Sequence, residues 1–460
     1  MGSEVTLGTL GDVAKVLSGF AFKSSDMGES GHPVIKIKNI NPPDVDVSDV
    51  QRIPASVIEA NPRIEKFRLD RGDILIAMTG ATVGKIGRMP AIEEPHYLNQ
   101  RVGKVFITDK SAANEDYVYY VLSQDCHVNQ IFNLADGSAQ ANISGKQIES
   151  VEIPLHPLSE QKTIAHILGS LDAKIELNRK MNQTLETMAQ ALFQGWFVDF
   201  DPVIDKALAN GKEIPEELSH RVEIRKRARE EFPELFNKYS DLFPDSFHFT
   251  EELGWIPEGW DATSLGDHVE IRRGGSPRPI NDYLTPDGLP WVKISDATSS
   301  SSRFLFKTKQ FIKASGLKKT VKLNKGSLIL SNSATPGIPV FLELDACIHD
   351  GWLYFPKISH FTTEYLYQLF KCIRRDLVAQ GNGSVFTNLK TDILKSWQMV
   401  YPSSESLNSY NEFMGIIGSK LRVINSETLM LSSLRDTLLP KLISGEIDVS
   451  EFETTVLENL

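Results

Sequence analysis

Two long stretches of the chain carry apolar residues at steps of three and four. Residues 159–197 form the first stretch, and its apolar stripe comprises Ile164, Ile167, Leu171, Ile175, Met181, Leu185, Met188 and Leu192. This spacing places the stripe on one face of a helix. Asn178 lies on the same face, where a polar residue can fix the register of a coiled coil. At ~1.5 Å per residue the helix extends for on the order of 50 Å, so we expect a partner helix to cover the stripe.

The second stretch, residues 403–445, repeats this pattern. Its positions Ile417, Leu421, Ile424, Leu431, Leu434 and Leu438 lie 246 residues beyond Leu171, Ile175, Asn178, Leu185, Met188 and Leu192. A single offset over six positions favours an internal repeat over two unrelated amphipathic helices. We predict that the two helices pack on each other as an antiparallel pair through these residues.

Residues 1–157 and 251–402 form a second repeat, and their pattern is that of strands. Short apolar runs such as Val34–Ile37 and Ile74–Met78 alternate with Gly, Asn and Pro turns, which is typical of β-rich domains. Four segments recur: Leu10-Gly11-Asp12 as Leu265-Gly266-Asp267, Gly31–Ile37 as Gly288–Ile294, Leu69–Ile76 as Leu323–Leu330, and Gly137–Asn142 as Gly383–Asn388. Between these segments the copies differ, so we predict two binding heads that share a frame and recognise different things.

The predicted fold is therefore α+β, with a pseudo-twofold internal repeat. Two β-rich α/β domains, residues 1–157 and 251–402, are separated by two long helices packed as an antiparallel coiled coil. The central region, 158–250, holds the helix 159–197 and a connecting segment whose charged run Glu216–Glu231 we expect to be a solvated helical face. The second helix occupies 403–445, and we expect the acidic tail 446–460 to be a solvated end.

Composition excludes several classes of protein. No run of eighteen apolar residues is present, so we expect no membrane span and no membrane partner. Three widely spaced cysteines indicate neither a disulfide framework nor a zinc ribbon and fit a reducing cytoplasm. The net charge of −11 does not by itself suggest a nucleic-acid binder, but segregated charge makes net charge a poor guide.

Short motifs related to enzyme sites are each incomplete. Gly80–Ile86 has three residues between its glycines where a phosphate-binding loop needs four. Asn41–Asp44 ends in aspartate where an amino-methyltransferase motif places an aromatic ring to stack the flipped base. Asp172-Ala173-Lys174 lacks the upstream carboxylate of a nuclease centre, and Cys347–Asp350 lacks ligands for a metal. We predict a non-catalytic chain that holds no cofactor or metal itself.

A basic patch indicates nucleic acid as the partner. Between Glu270 and Lys325 twelve basic residues face only four acidic ones, which gives this segment a local charge of +8. The basic residues of the patch are Arg272, Arg273, Arg278, Lys293, Arg303, Lys307, Lys309, Lys313, Lys318, Lys319, Lys322 and Lys325. A weaker set in the first head comprises Lys36, Lys38, Arg71, Lys85, Arg88, Arg101 and Lys104. Such residues bind phosphate, and neighbouring amides and hydroxyls read base edges. The predicted DNA-binding residues are Lys36, Lys38, Asn39, Thr79, Thr82, Lys85, Arg101, Arg272, Arg273, Lys293, Ser295, Asn332 and Thr335.

These features together resemble the specificity subunit of type I restriction-modification systems. The resemblance covers nearly the whole chain and rests on several segments that are specific in combination. They are the Leu-Gly-Asp start of each head, Gly72–Leu75 followed by Met78–Lys85, the Gly137-Ser138 turn, Ile153–Gln161 leading into the first long helix, Phe197–Pro202 and Leu253–Trp260.

The resemblance implies two target recognition domains that each read one half of a split, asymmetric site in double-stranded DNA. It also implies that the helices set the distance between half-sites and dock two methyltransferase subunits, with restriction and translocase subunits joining them. S-adenosylmethionine, ATP and Mg²⁺ would enter through those partners. Apolar helix positions left uncovered after pairing would contact the partners. An autonomous nuclease or methyltransferase with unrecognised motifs is the alternative, and it predicts turnover by the purified chain. A structural adaptor with no DNA role predicts no salt-dependent DNA binding.

Overall fold

Two compact units make up the described chain. The computed structural model describes residues 5–135, 141–232, 239–299, 302–380 and 388–449. One unit contains the described residues up to Glu176 together with those from Leu429 onwards, and the other spans Leu177–Thr428. Each unit contains one β-rich head and part of each long helix.

The first unit holds twelve of the strands that the structure describes. They are β1 (Thr6–Thr9), β2 (Ala14–Ser18), β3 (His32–Ile35), β4 (Ile40–Asn41), β5 (Asp44–Val45), β6 (Gln51–Ile53), β7 (Arg68–Leu69), β8 (Ile74–Ala77), β9 (Ile86–Arg88), β10 (His96–Leu98), β11 (Val102–Ile107) and β12 (Glu152–Leu155). Its short helices are α1 (Leu10–Val13), α2 (Ala55–Ala60), α3 (Glu115–Ser123), α4 (Asp125–Asn133) and α5 (Gly145–Glu149). The first long helix, α6, spans Leu158–Phe197 and continues into the second unit.

The second unit begins with the connecting helices α7 (Asp201–Ala209) and α8 (Ser219–Glu231). Its strands are β13 (Phe247–Thr250), β14 (Gly254–Pro257), β15 (Asp261–Ser264), β16 (Val269–Arg273), β17 (Leu284–Thr285), β18 (Leu289–Val292), β19 (Phe304–Leu305), β20 (Gln310–Ile312), β21 (Val321–Leu323), β22 (Leu328–Ser331), β23 (Pro339–Leu342), β24 (Ala346–Ile348), β25 (Trp352–Ile358) and β26 (Gln398–Tyr401). The head's helices are α9 (Leu265–His268), α10 (Ile294–Thr298), α11 (Thr363–Gln380) and α12 (Thr391–Lys395), and the second long helix, α13, spans Ser404–Ile443.

The strand order is the same in both heads apart from one additional edge strand in each, β4 in the first head and β17 in the second. The first head has sheets ordered β6-β3-β10-β7 and β2-β11-β8-β9-β5-β4, and the second has β17-β20-β18-β24-β21 and β16-β25-β22-β23-β19. When β3 is matched with β18, each core strand of one head has a counterpart in the other. The match includes the parallel pairs β3–β10 and β18–β24. The predicted internal repeat and mixed α and β composition are thus confirmed.

The repeated Leu-Gly-Asp segment forms the single-turn helix at the start of each head. Leu10 and Leu265 are fully buried in the cores of their heads. Asp12 accepts hydrogen bonds from the main chain and hydroxyl of Thr9 at 2.7 and 2.8 Å, which caps the turn. A side chain at Gly11 would meet the carbonyl oxygen of Glu149 at 3.0 Å, so the helix packs closely only with glycine there.

The two long helices run antiparallel within each unit, as predicted. In the first unit Asp172 Oδ1 on α6 lies 2.8 Å from Arg435 Nη1 on α13, and Ile164 and Leu168 share a core cluster with Leu442. In the second unit Asn178 donates to Glu427 at 2.8 Å, and further along α6 the Phe193 ring contacts Tyr410. Residues further along α6 therefore contact residues earlier in α13, which is the order expected of antiparallel helices.

Two expectations outside the heads need correction. Val449 is 2 % exposed and lies in the core of the first unit, so the tail is not solvated from residue 446 onwards. Its remainder, from residue 450, lies outside the described residues. The basic run on α8 is also not simply a solvated face, because Arg221 and Arg225 bond to Asp201 on α7. The repeated Gly137 and Gly383 turns fall outside the described ranges.

Candidate nucleic-acid interface

One turn in each head joins the ends of several strands. In the first head the turn Asn99–Arg101 follows β10, and its main chain hydrogen-bonds to the last residue of β3 and to residues just beyond the ends of β2 and β8. The bonds include Asn99 N to Ile35 O at 3.1 Å, Gln100 N to Phe20 O at 2.9 Å and Met78 N to Arg101 O at 3.0 Å. The predicted site residues that follow β3, β8 and β10 therefore belong to one edge of the first head.

The corresponding turn of the second head is His349–Gly351, which follows β24. Gly274 N bonds to Trp352 O at 2.8 Å and Asn332 N bonds to Gly351 O at 2.8 Å, as the matched residues do in the first head. Predicted residues at the end of β16 and after β18 and β22 thus lie on the equivalent edge. The two edges have the same construction, but the turns carry Asn-Gln-Arg in one head and His-Asp-Gly in the other.

The loop after β3 has Asn39 as its internal support. Asn39 is 2 % exposed; its amide donates to the carbonyl oxygen of Asp49 at 2.9 Å, and its carbonyl accepts from Lys36 N at 3.0 Å. Lys38 reaches Asp49 at 2.7 Å, and Lys36 donates to Gln51. Partial burial and the charge of Lys38 lower the pKa of Lys36. The lysines lie at the surface of this loop, whereas the Asn39 side chain is committed to holding it.

The remaining predicted residues of the first head differ in exposure. Lys85 and Arg101 are exposed, and neither side chain makes an ion pair with another described residue. Thr82 donates to Thr79 O at 3.4 Å, and the Thr79 hydroxyl is buried with no hydrogen-bond partner within the described ranges. Lys85 and Arg101 are therefore the groups of this head most available to an anion.

In the second head Arg272 and Arg273 are the exposed last two residues of β16. Arg272 pairs with Glu270 at 2.6 Å, and Arg273 Nε donates to the main-chain oxygen of Asp350. Asn332 is 3 % exposed, and its side-chain oxygen has no partner among the residues described. Thr335 contributes its carbonyl oxygen to the Ser331 hydroxyl at 2.6 Å. The arginines therefore face solvent, while Asn332 belongs to the interior of the edge.

A cavity of about 940 Å³ opens beside this edge of the second head. Its polar lining includes Lys293, Ser295, Gln310 and His349, and the Trp291 ring contributes to its apolar wall. Burial lowers the pKa of His349, and the positive charges of Lys293 and Arg273 act in the same direction. The cavity thus combines a neutral imidazole with a lysine and neutral polar groups.

Three basic residues of the predicted patches have internal roles instead. Arg303 has no exposed side-chain area and bonds to Glu186 at 2.6 Å and Glu364 at 2.8 Å. Arg88 pairs with Asp116 at 2.9 Å and stacks on Tyr119, and Lys104 pairs with Asp73 at 2.6 Å with both side chains largely buried. Their inclusion in a phosphate-binding surface was wrong, because carboxylates within the fold already neutralise these charges.

The predicted helix-pair residues vary from buried to exposed. Ile175, Asn178, Leu421 and Ile424 are at most 6 % exposed. The half-buried set comprises Leu171, Leu185, Leu192, Ile417, Leu431 and Leu438. Met188 and Leu434 keep 55 % and 47 % of their surface exposed. The stripe therefore includes both buried residues and residues that are open to a partner.

Two polar residues on the equivalent turns are absent from the predicted DNA-binding residues, although Gln100 is one of the amides that lie near the basic residues of the first head in the sequence. Gln100 is exposed on the turn of the first head. Asp350, considered only as part of an incomplete metal cluster, accepts from Ser276 at 2.7 Å and pairs with Arg278 at 3.1 Å. Only the sheet brings these partners together, since they lie more than seventy positions apart. Among the described residues there is no group of three or more His, Cys, Asp or Glu able to hold a metal, and no helix long and apolar enough to cross a membrane.

Comparisons with known proteins agree with this architecture. A family model described as the type I restriction modification DNA specificity domain matches residues 2–187 and 257–408. The HindI specificity subunit of Haemophilus influenzae is 28 % identical over 66 % of this chain and 71 % of its own length. The MjaIX specificity subunit of Methanocaldococcus jannaschii is 22 % identical over 80 % and 76 %, respectively. The crystal structure of an S subunit from M. genitalium shares the fold, with a TM-score of 0.57 and 15 % identity over 96 % of each chain. The chain thus belongs to the family of type I restriction-modification specificity subunits, and its role is DNA sequence recognition within such a complex rather than catalysis of its own.

Proposed function

We propose that each head reads one half of a split, asymmetric DNA site through the edge formed at its strand ends. The observation that carries this proposal is the pair of equivalent turns, Asn99–Arg101 and His349–Gly351, which sit in the same hydrogen-bonded frame but differ in every side chain. Base readout depends on which donors and acceptors meet the groove. An asymmetric site has two different halves, so it requires two heads that are built in the same way but carry different side chains.

Within each edge the residues divide into two roles. Cations at the surface bind phosphate and give salt-dependent affinity; they are the exposed Lys38, Lys85 and Arg101 in the first head and the exposed Arg272 and Arg273 with the half-buried Lys293 in the second. Ser295, which is exposed beside Lys293, offers a hydroxyl to a base edge. Asn39 and Asn332 position the loops from inside, because their side chains are buried.

The exposed apolar positions on the long helices are the proposed docking surface for partner subunits. On α13, Ile416, Val423 and Met430 are 69 %, 67 % and 69 % exposed, and on α6 Met188 is 55 % exposed. Apolar residues uncovered on this scale mark protein–protein contact. We expect two methyltransferase subunits here, bringing S-adenosylmethionine, and restriction and translocase subunits that use ATP and Mg²⁺. The helices also set the spacing between the half-sites.

Head-specific variants test the reading role. In the complete methyltransferase complex, Gln100→Ala removes the exposed amide on the turn of the first head and should relax the base preference within one half-site only. Ser295→Ala removes the exposed hydroxyl of the second head and should relax the preference within the other half-site. Lys85→Gln, which removes a phosphate-binding cation, is the control and should weaken methylation equally on all sequences. If Gln100→Ala and Ser295→Ala relax the same base positions, or relax none, the division of labour between heads is refuted.

The docking role has its own test. Val423→Asp with Met430→Asp should abolish co-purification of methyltransferase subunits while leaving the thermal stability of this chain unchanged, because both side chains are already exposed. Leu7→Asp provides the control, since Leu7 is 76 % exposed on β1 of the first head. Retention of the subunits by the α13 variant would exclude this surface.

A further inference from the structure

Two arginines of the second head converge on Asp350. Arg273 Nε donates to its main-chain oxygen, and Arg278 Nη2 lies 3.1 Å from its carboxylate. The Ser276 hydroxyl donates to the other carboxylate oxygen at 2.7 Å, while Asp350 N approaches the same hydroxyl at 3.3 Å. The carboxylate is therefore fixed on one side by the protein and presents its other oxygen to Arg278.

The position of this carboxylate is unexpected on a phosphate-binding surface. Asp350 keeps 39 % of its side chain exposed within a strongly basic region, where a negative charge repels DNA. An exposed ion pair adds little stability. Burial acts to raise the pKa of Asp350, but the hydrogen bonds from Ser276 and Arg278 outweigh it and lower the pKa, so the group is ionised at neutral pH. Its physical effect is to orient a guanidinium group that is otherwise free to rotate.

We propose that Arg278, oriented by Asp350, reads a guanine in the half-site bound by the second head. The Arg278 side chain is 80 % exposed, so its guanidinium fork is open to a ligand while one nitrogen stays on Asp350. Guanine presents two acceptors, O6 and N7, in the major groove, and an arginine fork matches both. The inference rests on the proposed DNA-reading role of this edge and names one base that the edge reads.

The surroundings of Arg278 support a base contact over a phosphate contact. Arg278 lines the cavity of about 940 Å³ together with Lys293, Ser295 and Gln310. These groups supply donors and acceptors beside the arginine, as needed where neighbouring base edges are read. A phosphate contact needs only positive charge and gains nothing from a fixed carboxylate next to the arginine.

The first head offers a different group at the equivalent point. Gln100 takes the place of Asp350 in the matched turn, and it is exposed. A glutamine amide pairs with adenine N6 and N7, whereas the Asp350–Arg278 pair suits guanine. The two half-sites are therefore expected to differ in the base at this contact.

The test uses the complex of this chain with its methyltransferase subunits. The wild-type methylated motif is mapped first, and each G·C pair in the half-site of the second head is then replaced by A·T in binding competition. We expect one replacement to weaken wild-type binding about 5- to 150-fold, the usual range for a good bidentate contact. Arg278→Lys keeps the charge but lacks the fork, so it should lose this discrimination.

Asp350→Asn separates orientation from charge. Loss of the negative charge should increase affinity for unrelated DNA, while discrimination at the guanine falls; these opposite changes do not arise from a structural defect. Glu223→Gln on α8 removes the same charge from an exposed ion pair and should change neither quantity. Thermal denaturation of each variant checks that the head remains folded.

Several outcomes overturn the inference without touching the proposed function. The first is a bipartite motif whose second half-site has no G·C pair. The second is a methylated motif that stays the same in both the Arg278→Lys and the Asp350→Asn variant. The third is a loss of affinity in Arg278→Lys that is equal on all sequences, which would identify a phosphate contact. Absence of any bipartite methylation would instead refute the reading role of the heads.

Discussion

Replacing Arg303 by methionine should strongly destabilise the second unit. The Arg303 side chain is fully buried, bonds to Glu186 and Glu364, and lies over the Tyr367 ring at 4.0 Å. Removing one partner of a buried ion pair costs about 3–5 kcal/mol, because the remaining charges lose their compensation. Glu186 and Glu364 keep 22 % and 18 % of their side chains exposed, so water screens them partly and we expect about 3 kcal/mol. For a unit of this size that corresponds to a fall in Tm of roughly 6–12 °C.

Thermal denaturation of the full chain measures this effect. Lys226→Met removes an exposed pair with Glu223 and should lower the Tm by less than about 2 °C. Adding Glu186→Gln and Glu364→Gln to the Arg303 variant should restore at least half of the loss, since the unpaired charges are then gone. An Arg303 variant as stable as the Lys226 control, or a triple variant with no recovery, would refute the reasoning.

The same variant has a predicted pH dependence. Burial raises the pKa of Glu364, and Arg303 opposes that rise. Without Arg303 the pKa of the folded state lies further above that of the unfolded chain. The folded variant then binds the Glu364 proton more tightly than the unfolded chain does. This difference stabilises the folded variant at pH values below the unfolded pKa, and the stabilisation is lost as the pH rises through the folded-state pKa. The Tm difference between wild type and variant should therefore narrow from pH 8 to pH 5, and a constant difference would contradict this assignment.

Three further predictions concern the turn of the second head and the long helices. Burial lowers the pKa of His349. The stability that this histidine contributes is therefore present above the unfolded pKa of about 6.5 and is lost as the pH falls through the folded-state pKa. The Tm of the His349→Asn variant should fall less than the Tm of wild type between pH 7.5 and pH 5.5. Asn178→Leu should keep or raise the Tm, because Asn178 is 1 % exposed with an unpaired oxygen within the described chain, yet the gap between methylated half-sites should become heterogeneous as register control is lost. Insertion of seven residues at both 176–177 and 428–429 lengthens each helix by about 10 Å and should widen the gap by about three base pairs; methylation mapping that finds the original gap would exclude the helices as its determinant.

The parts of this fold that were predictable from the sequence are those written in local patterns. The helix pair followed from stripes three and four residues apart, and the repeated heads followed from short segments such as Leu10–Asp12 that recur in the same order in both halves of the chain. Contacts between distant segments leave no such pattern. Arg303 looked like part of a DNA-binding patch because its carboxylate partner Glu186 lies 117 positions earlier, on α6.

The candidate site could likewise be predicted from the sequence only in part. Exposed lysines and arginines at strand ends could be selected from charge and turn residues. The amides that point inward could not be selected in this way, because the burial of Asn39 and Asn332 arises only in the folded head. The tail was similarly misjudged: its acidic composition concealed that Val449 packs in the first unit. Local charge predicts exposure only where no neighbouring segment supplies a counter-charge or an apolar surface.

The central claim is that this chain alone sets the DNA sequence at which its partners act. It is tested most directly by mapping adenine methylation with single-molecule sequencing in cells that express the methyltransferase subunits with and without this chain. We predict a bipartite, asymmetric motif that is methylated only when the chain is present. Methylation that is absent in both strains, or identical in both, would contradict the account.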